Sequence, residues 1–137
     1  HGHSFTANPL ACTVSLASLD LTEKVECIEA VKRIGHRHTE FMERLAQRAD
    51  CGNIRRTGTI IAFEWTEGQE GNSYFHGMRD FIYNYFIDRG ILLRPLGNTI
   101  YIMPPYCISD EHLDKLYEGI IGCLDALKEA SKNVELA

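Results

Sequence analysis

Apolar residues recur at helical spacing in several segments of this chain, and short strand-like runs bounded by turn residues lie between them. This alternation limits the fold class more than any other feature. In chain order we predict a helix over 10–19, a second helix from 20 to about 48, strands over 54–57 and 59–65, a third helix ending at 89–90, strands over 92–95 and 99–103, and a last helix beginning at 109. We therefore expect an α+β fold: a short, mostly antiparallel sheet covered by helices, with an N-terminal linker helix.

Capping residues support three of the helix starts. Asn8-Pro9 offers a side-chain cap followed by proline at the first helical position, and the run 20–23, Asp-Leu-Thr-Glu, has capping-box character. Ser109 precedes two acidic residues that complement a helix dipole. The apolar stripes of the second, third and last helices comprise Val31, Ile34, Phe41, Met42 and Leu45, then Met78, Phe81, Ile82 and Tyr85, then Leu113, Leu116, Tyr117, Ile120, Leu124 and Leu127.

Charge and hydropathy exclude several classes of function. The net charge is −5, and no Lys/Arg-rich run appears, so we expect no nucleic-acid partner. The apolar runs are far shorter than the roughly 20 residues that a membrane span needs. The start of the sequence is polar and lacks the pattern of a signal peptide. We expect a cytoplasmic protein.

Cysteine and histidine spacing gives no sign of a metal site. The five cysteines are odd in number and show no C-x-x-C pair, so we expect reduced and mostly packed thiols. His36 and His38 lie two apart on a predicted helix, where they point to different faces and cannot chelate together. No nucleophile elbow, glycine-rich phosphate loop or H-E-x-x-H motif is present. All five lysines fall on predicted helix surfaces, so none has the burial that a Schiff-base lysine needs.

The N-terminal segment could bind an anion. A glycine and two hydroxyl side chains, Ser4 and Thr6, lie just before a predicted helix start, where unpaired N–H groups favour phosphate or carboxylate. The alternative is that these residues only cap the helix and shape a turn.

Arg94 is the second candidate for binding an anion. It stands between Leu93 and Pro95, and the proline restricts the backbone of the residue before it. The planar guanidinium suits bidentate capture of a carboxylate. The alternative is a surface arginine paired with a nearby acid.

Two runs of residues resemble one family. The run 2–12, Gly-His-Ser-Phe-Thr-Ala-Asn-Pro-Leu-Ala-Cys, is similar to the segment that follows the Schiff-base lysine in class III, fold-type I aminotransferases. The run 93–106, which includes Arg94-Pro95 and Met103-Pro104-Pro105-Tyr106, resembles the C-terminal stretch of a subgroup of these enzymes that acts in biotin biosynthesis.

The resemblance implies roles for particular residues. The cofactor is pyridoxal 5'-phosphate, and Ser4 would reach across a homodimer interface to the cofactor phosphate of the other subunit, with His3 nearby. Gly2 and Arg94 would face the substrate, and Arg94 would receive its carboxylate. The subgroup transfers an amino group from S-adenosylmethionine to 8-amino-7-oxononanoate, giving 7,8-diaminononanoate.

The resemblance also implies that the chain is a fragment, inactive alone. Residues 1–21 would be the loop and linker helix that end the large domain, and residues 22–137 the small C-terminal domain. The catalytic lysine would precede His1, so we expect no catalytic residue here. Two alternatives remain: another class III ω-aminotransferase, acting on ornithine or 4-aminobutyrate, or a non-catalytic α+β interaction module.

Overall fold

A three-stranded antiparallel sheet, in the order β1-β2-β3, lies at the centre of the fold. The computed structural model describes residues 6–66 and 72–135. In that part of the chain the elements are α1 (Pro9–Thr22), α2 (Val25–Ala46), β1 (Cys51–Thr57), β2 (Ile60–Trp65), α3 (Asn72–Ile87), β3 (Thr99–Ile102) and α4 (Asp110–Glu135). The predicted α+β class, with a short antiparallel sheet covered by helices, is confirmed.

The central strand β2 shows why the sheet buries one face. Ile61, Phe63 and Trp65 alternate with more exposed neighbours, because successive side chains of a strand point to opposite faces. Gly58, at φ 56°, provides the left-handed conformation of the turn between β1 and β2. On the other side of β2, Ile100 and Ile102 of β3 extend the same apolar face.

Three helices supply the rest of the core, and their buried residues are largely those of the predicted stripes. Phe41 of α2 stacks on Tyr117 of α4, with ring centroids 4.3 Å apart. The buried apolar side chains of these helices are Ile34, Phe41 and Leu45 of α2, Ile82 and Phe86 of α3, and Leu113, Tyr117, Ile120, Cys123, Leu124 and Leu127 of α4. The side chain of Met78 lies outside the described part.

A ladder of ion pairs joins α2, and Arg48 just after it, to α4. The pairs are Arg33–Asp110, Arg37–Asp114, Arg44–Glu118 and Arg48–Asp125. Residue numbers rise together on both sides, so the two helices run parallel. Helix α4 also begins as predicted, because Ser109 Oγ accepts a hydrogen bond from the His112 N–H.

Two predicted boundaries are wrong in the region 20–54. The run 20–23 lies at the end of α1, and α2 begins only at Val25, after Lys24, which makes no side-chain cap. The capping-box pattern spans only four residues, and the same residue types can lie within a helix, so the pattern alone does not fix where a helix begins. The first strand, predicted over 54–57, begins earlier, at Cys51, because Cys51 and Gly52 pair with the end of β2.

The predicted strand over 92–95 is also wrong. The segment is extended but outside any strand, and only Leu96 makes an isolated bridge, to Thr99. Pro95 has no N–H to donate to a neighbouring strand, which removes one of the ladder bonds that this segment would need.

Helix α1 has no buried residue among those described, although its sequence is mostly apolar. The boundary between a linker at 1–21 and a domain at 22–137 stays a prediction. Within the described residues, no helix has both the length and the apolar character to cross a membrane.

The structure has all five cysteines as free thiols. The expectation that most are packed is met only in part, because Cys12 and Cys107 are exposed. Burial raises the pKa of Cys51 and Cys123 to about 12. In the described part of the chain, no group of three His, Cys, Asp or Glu residues is placed to hold a metal ion.

Candidate substrate-binding cleft

Arg94 lies on the extended segment between α3 and β3. Leu93 and Pro95 on either side are buried, so the alternation of an extended chain turns Arg94 outward. No ion pair or hydrogen bond joins Arg94 to any described residue. The surface ion pair that was the alternative for Arg94 is therefore not found in this part of the chain.

A tight turn follows Arg94 and determines where the segment goes. Leu96 N–H donates to the Thr99 carbonyl over 2.9 Å, and Thr99 N–H donates back to the Leu96 carbonyl over 3.0 Å. Gly97 stands between them at φ 62°, a left-handed conformation that costs other residues more than glycine. The turn and the buried neighbours together restrict the position of the Arg94 backbone.

A cleft of about 780 Å³ opens beside Arg94. Its polar lining comes from Arg79, Asp80, Tyr83, Arg94 and Tyr101. The apolar lining consists of Leu92, Leu93, Ile102, Met103, Pro104, Pro105, Ile108 and Leu116. Leu92 and Met103 are 84% and 67% exposed, so apolar surface continues to the rim of the cleft.

This combination of groups suits one kind of ligand. An apolar wall favours burial of a hydrocarbon chain, and a guanidinium without a protein partner can form a bidentate, charge-assisted pair with a carboxylate. Exposed apolar surface rimmed by polar residues often marks a binding site. The cleft therefore fits a carboxylate carried on an apolar chain.

The structure describes the N-terminal segment only from Thr6 onward. Gly2, His3 and Ser4 lie outside the described residues, so their predicted roles stay predictions. Asn8 caps α1 as expected, since its Oδ1 accepts from Leu10 N–H at 3.0 Å and from Ala11 N–H at 3.3 Å. The cap of α1 is thus supplied by Asn8, which leaves the role of Ser4 open.

Sequence reasoning missed the contribution of α3 to the cleft. Arg79 and Tyr83 both line it, and they are four residues apart, so they lie on one face of the helix. That spacing is visible in the sequence. Nothing local, however, indicates that this face meets the segment carrying Arg94.

The fold is a small α+β unit, and its cleft combines an arginine with an apolar wall. The chain belongs to the class-III aminotransferase family, since the family model described as aminotransferase class-III matches residues 1–124. The suspected resemblance is confirmed.

Two curated relatives show which members of the family this chain is similar to. The chain is 39% identical over 127 residues to adenosylmethionine-8-amino-7-oxononanoate aminotransferase of Synechococcus elongatus, a match that covers 93% of this chain and 29% of the relative. It is 30% identical to the mitochondrial gamma aminobutyrate transaminase 1 of Solanum lycopersicum, over 98% of this chain and 26% of the relative. The chain thus spans less than a third of the length of these curated relatives.

Solved structures show the same fold. The adenosylmethionine-8-amino-7-oxononanoate aminotransferase of Methanocaldococcus jannaschii superposes with a TM-score of 0.76 at 27% identity, covering 94% of this chain and 30% of that one. A PLP-bound aminotransferase mutant from Vibrio fluvialis has a TM-score of 0.84 at 22% identity, covering 96% and 30%. Class III aminotransferases are pyridoxal-phosphate enzymes, as the resemblance implied.

The described residues do not by themselves fit a covalently held pyridoxal phosphate. That cofactor needs a lysine buried enough to have a lowered pKa. Lys24, Lys32 and Lys115 are exposed, Lys128 is half-buried near the end of α4, and none of the four lines the cleft. The described residues instead form a cleft that has guanidinium groups and an apolar wall.

Proposed function

We propose that this chain is part of an aminotransferase that moves an amino group from S-adenosylmethionine to 8-amino-7-oxononanoate, giving 7,8-diaminononanoate in biotin biosynthesis. The observation that carries the proposal is Arg94, which has no partner among the described residues and lies at an apolar cleft. The similarity to enzymes named for this substrate supports it.

The substrate and the cleft have matching chemistry. The keto acid carries a carboxylate at one end of a hydrocarbon chain, and its reacting ketone lies near the other end. Arg94 would hold the carboxylate while apolar residues such as Leu92 and Met103 contact the chain. Binding energy gained far from the reacting atoms then helps to orient the ketone.

The rest of the machinery would come from outside the described residues. Pyridoxal phosphate supplies the electron sink for amino transfer, and the protein orients the reactants. By resemblance, His3 and Ser4 would lie near the cofactor, Ser4 at the phosphate bound to the other subunit of a cytoplasmic homodimer, and Gly2 near the substrate. The 137-residue chain alone would be inactive, so mixing it with pyridoxal phosphate should give no stoichiometric aldimine absorbance.

Replacement of Arg94 tests the proposal in the full-length enzyme. Arg94→Ala should raise the KM for 8-amino-7-oxononanoate by about tenfold or more, because a charge-assisted pair is lost, with cofactor binding near normal. Arg55→Ala is a matched control, because Arg55 is an exposed arginine of β1 that pairs with Glu64, away from the cleft. An unchanged KM for Arg94→Ala would remove this residue from the role.

A second candidate is a class III aminotransferase that acts on another ω-amine. The tomato relative, named for gamma aminobutyrate, is similar over nearly all of this chain. Comparing the full-length enzyme on 8-amino-7-oxononanoate, 4-aminobutyrate and ornithine separates the candidates. Faster turnover of 4-aminobutyrate or ornithine than of 8-amino-7-oxononanoate would favour this second candidate.

A further inference from the structure

Two arginines differ from all the others in their partners. The chain has nine arginines, and seven of them contact an acid or a backbone carbonyl. Arg79 and Arg94 have no ion pair or hydrogen bond with any described residue. The seven paired arginines, by contrast, are Arg33, Arg37, Arg44, Arg48, Arg55, Arg56 and Arg89.

The two unpaired arginines converge on one place. Arg79 projects from α3, and Arg94 from the extended segment that precedes β3, so they reach the cleft from different elements. A smaller cavity of about 400 Å³ is lined by Arg79 and Arg94 as well, together with Tyr101. Because Arg79, Arg94 and Tyr101 line both the cleft and the smaller cavity, they lie at the boundary between them.

The charge balance of the lining favours an anion. Asp80 is the one acidic residue among the described residues that line the cleft, against the two guanidiniums of Arg79 and Arg94. Asp80 is exposed and makes no ion pair with either arginine among the described contacts. Like charges that share an apolar-walled cleft repel each other, and an anion bound between them removes that repulsion.

We propose that Arg79 is a second anion-binding residue of this cleft, which acts with Arg94 to select substrates that carry a carboxylate. The proposal rests on the proposed function, because it adds a residue to the same substrate site. Arg79 would bind the carboxylate from the α3 side, while Arg94 binds it from the other wall. Two guanidiniums from different elements fix the position of the ligand and favour a ligand with negative charge.

Kinetics of the full-length, cofactor-loaded enzyme with two substrates test the role of Arg79. One substrate is 8-amino-7-oxononanoate, and the other is its carboxamide, which has the same length but no charge. Arg79→Gln should raise the KM for the acid by about tenfold, with a much smaller change in kcat and in the KM for the amide. Arg79→Lys, which keeps the charge without the planar fork, should fall between wild type and Arg79→Gln.

A matched control comes from the turn that follows the same helix. Arg89 stacks on Tyr85, with its guanidinium carbon 3.5 Å from the ring centroid, and donates to the Tyr85 carbonyl, away from the cleft. Arg89→Gln should leave the ratio of the two KM values unchanged. If Arg79→Gln does not fold, Arg79→Met replaces it, and the same ratio is measured.

The outcomes separate this inference from the proposed function. A loss of acid-over-amide preference in Arg79→Gln supports the inference, and a wild-type ratio overturns it. Arg94→Gln judges the proposed function in the same assay. If only Arg94→Gln changes the ratio of the two KM values, the proposed function is supported and the role of Arg79 is overturned. If only Arg79→Gln changes that ratio, the role of Arg94 is overturned and the role of Arg79 as an anion-binding residue is supported.

Discussion

Tyr117 donates its hydroxyl hydrogen to Nδ1 of His38 over 2.7 Å, and the Nε2–H of the same ring donates to the Thr59 carbonyl over 3.0 Å. The tautomer follows from the chemistry, because a carbonyl oxygen can only accept, so Nε2 carries the hydrogen of the neutral ring. His38 and Tyr117 are both buried. One side chain of α2 thus connects α4 to the β1–β2 turn.

We predict that His38 makes the stability of the domain fall as the pH drops below the ordinary histidine pKa of 6.5. Burial lowers the pKa of His38, the Thr59 carbonyl raises it, and the charge of Arg56 lowers it further, with a net decrease. The unfolded chain therefore binds this proton first as the pH falls below the ordinary value of 6.5. The free energy of unfolding should then fall with pH, by at most about 1.4 kcal/mol per unit, until the folded-state pKa is reached.

Urea unfolding at several pH values measures this effect. His38→Gln should flatten the pH dependence over this range, although it lowers stability at every pH. His36→Gln is the control, because it removes an exposed histidine of the same helix and keeps His38, so the pH dependence due to His38 should remain. A slope that persists in His38→Gln would assign the titration to another group.

The local features of the fold could be predicted from the sequence, and the long-range ones could not. The Asn8 and Ser109 caps act within three residues of themselves, so the sequence contains both partners. The His38–Tyr117 contact joins residues 79 positions apart. No periodicity indicates such a pairing, because it depends on α2 and α4 running side by side.

The candidate site shows the same division. Arg94 was predicted because a proline and a resemblance both point to it within a few residues. Arg79 was missed because only the folded chain brings α3 to the same cleft. The strand predicted over 92–95 was wrong for a reason that the sequence does contain: none of these residues is β-branched or aromatic, and Pro95 has no N–H to donate to a neighbouring strand.

The pair Arg48–Asp50 should be the costliest ion pair to break. Asp50 is 1% exposed, and both of its oxygens accept from Arg48, at 2.8 and 2.7 Å. Burial raises the pKa of Asp50, and the hydrogen bonds and charge of Arg48 outweigh that effect, so the net pKa is lowered. Arg48→Ala leaves a buried carboxylate without this partner, so it should cost about 3–5 kcal/mol in the free energy of unfolding.

Arg44→Ala provides the comparison for Arg48→Ala. Arg44 lies one turn earlier on α2 and pairs with Glu118, with the two side chains 48% and 67% exposed. Removing it should cost no more than about 1 kcal/mol, because solvent screens the pair. Chemical denaturation of both variants gives the two values. Equal losses would show that burial of Asp50 contributes little.

Ser4 should affect retention of the cofactor in the full-length enzyme. If its hydroxyl binds the phosphate held by the other subunit, Ser4→Ala loses one hydrogen bond to a charged group and should release pyridoxal phosphate faster on dialysis. Ser4→Thr keeps the hydroxyl and should retain cofactor as the wild type does. Equal retention in all three proteins would leave Ser4 as a turn residue.

Gly97 should support substrate binding without contacting the carboxylate. At φ 62° it shapes the turn that joins the Arg94 segment to β3, and a β-branched residue there is strained. Gly97→Val should lower the free energy of unfolding by about 1–2 kcal/mol and raise the KM for the carboxylate substrate, because the turn no longer restricts Arg94. Gly97→Asn tests the cause, since asparagine tolerates the left-handed region and should retain most of both properties. If both variants raise the KM and lower the stability equally, the side chain itself disturbs the cleft and the backbone conformation is not the reason.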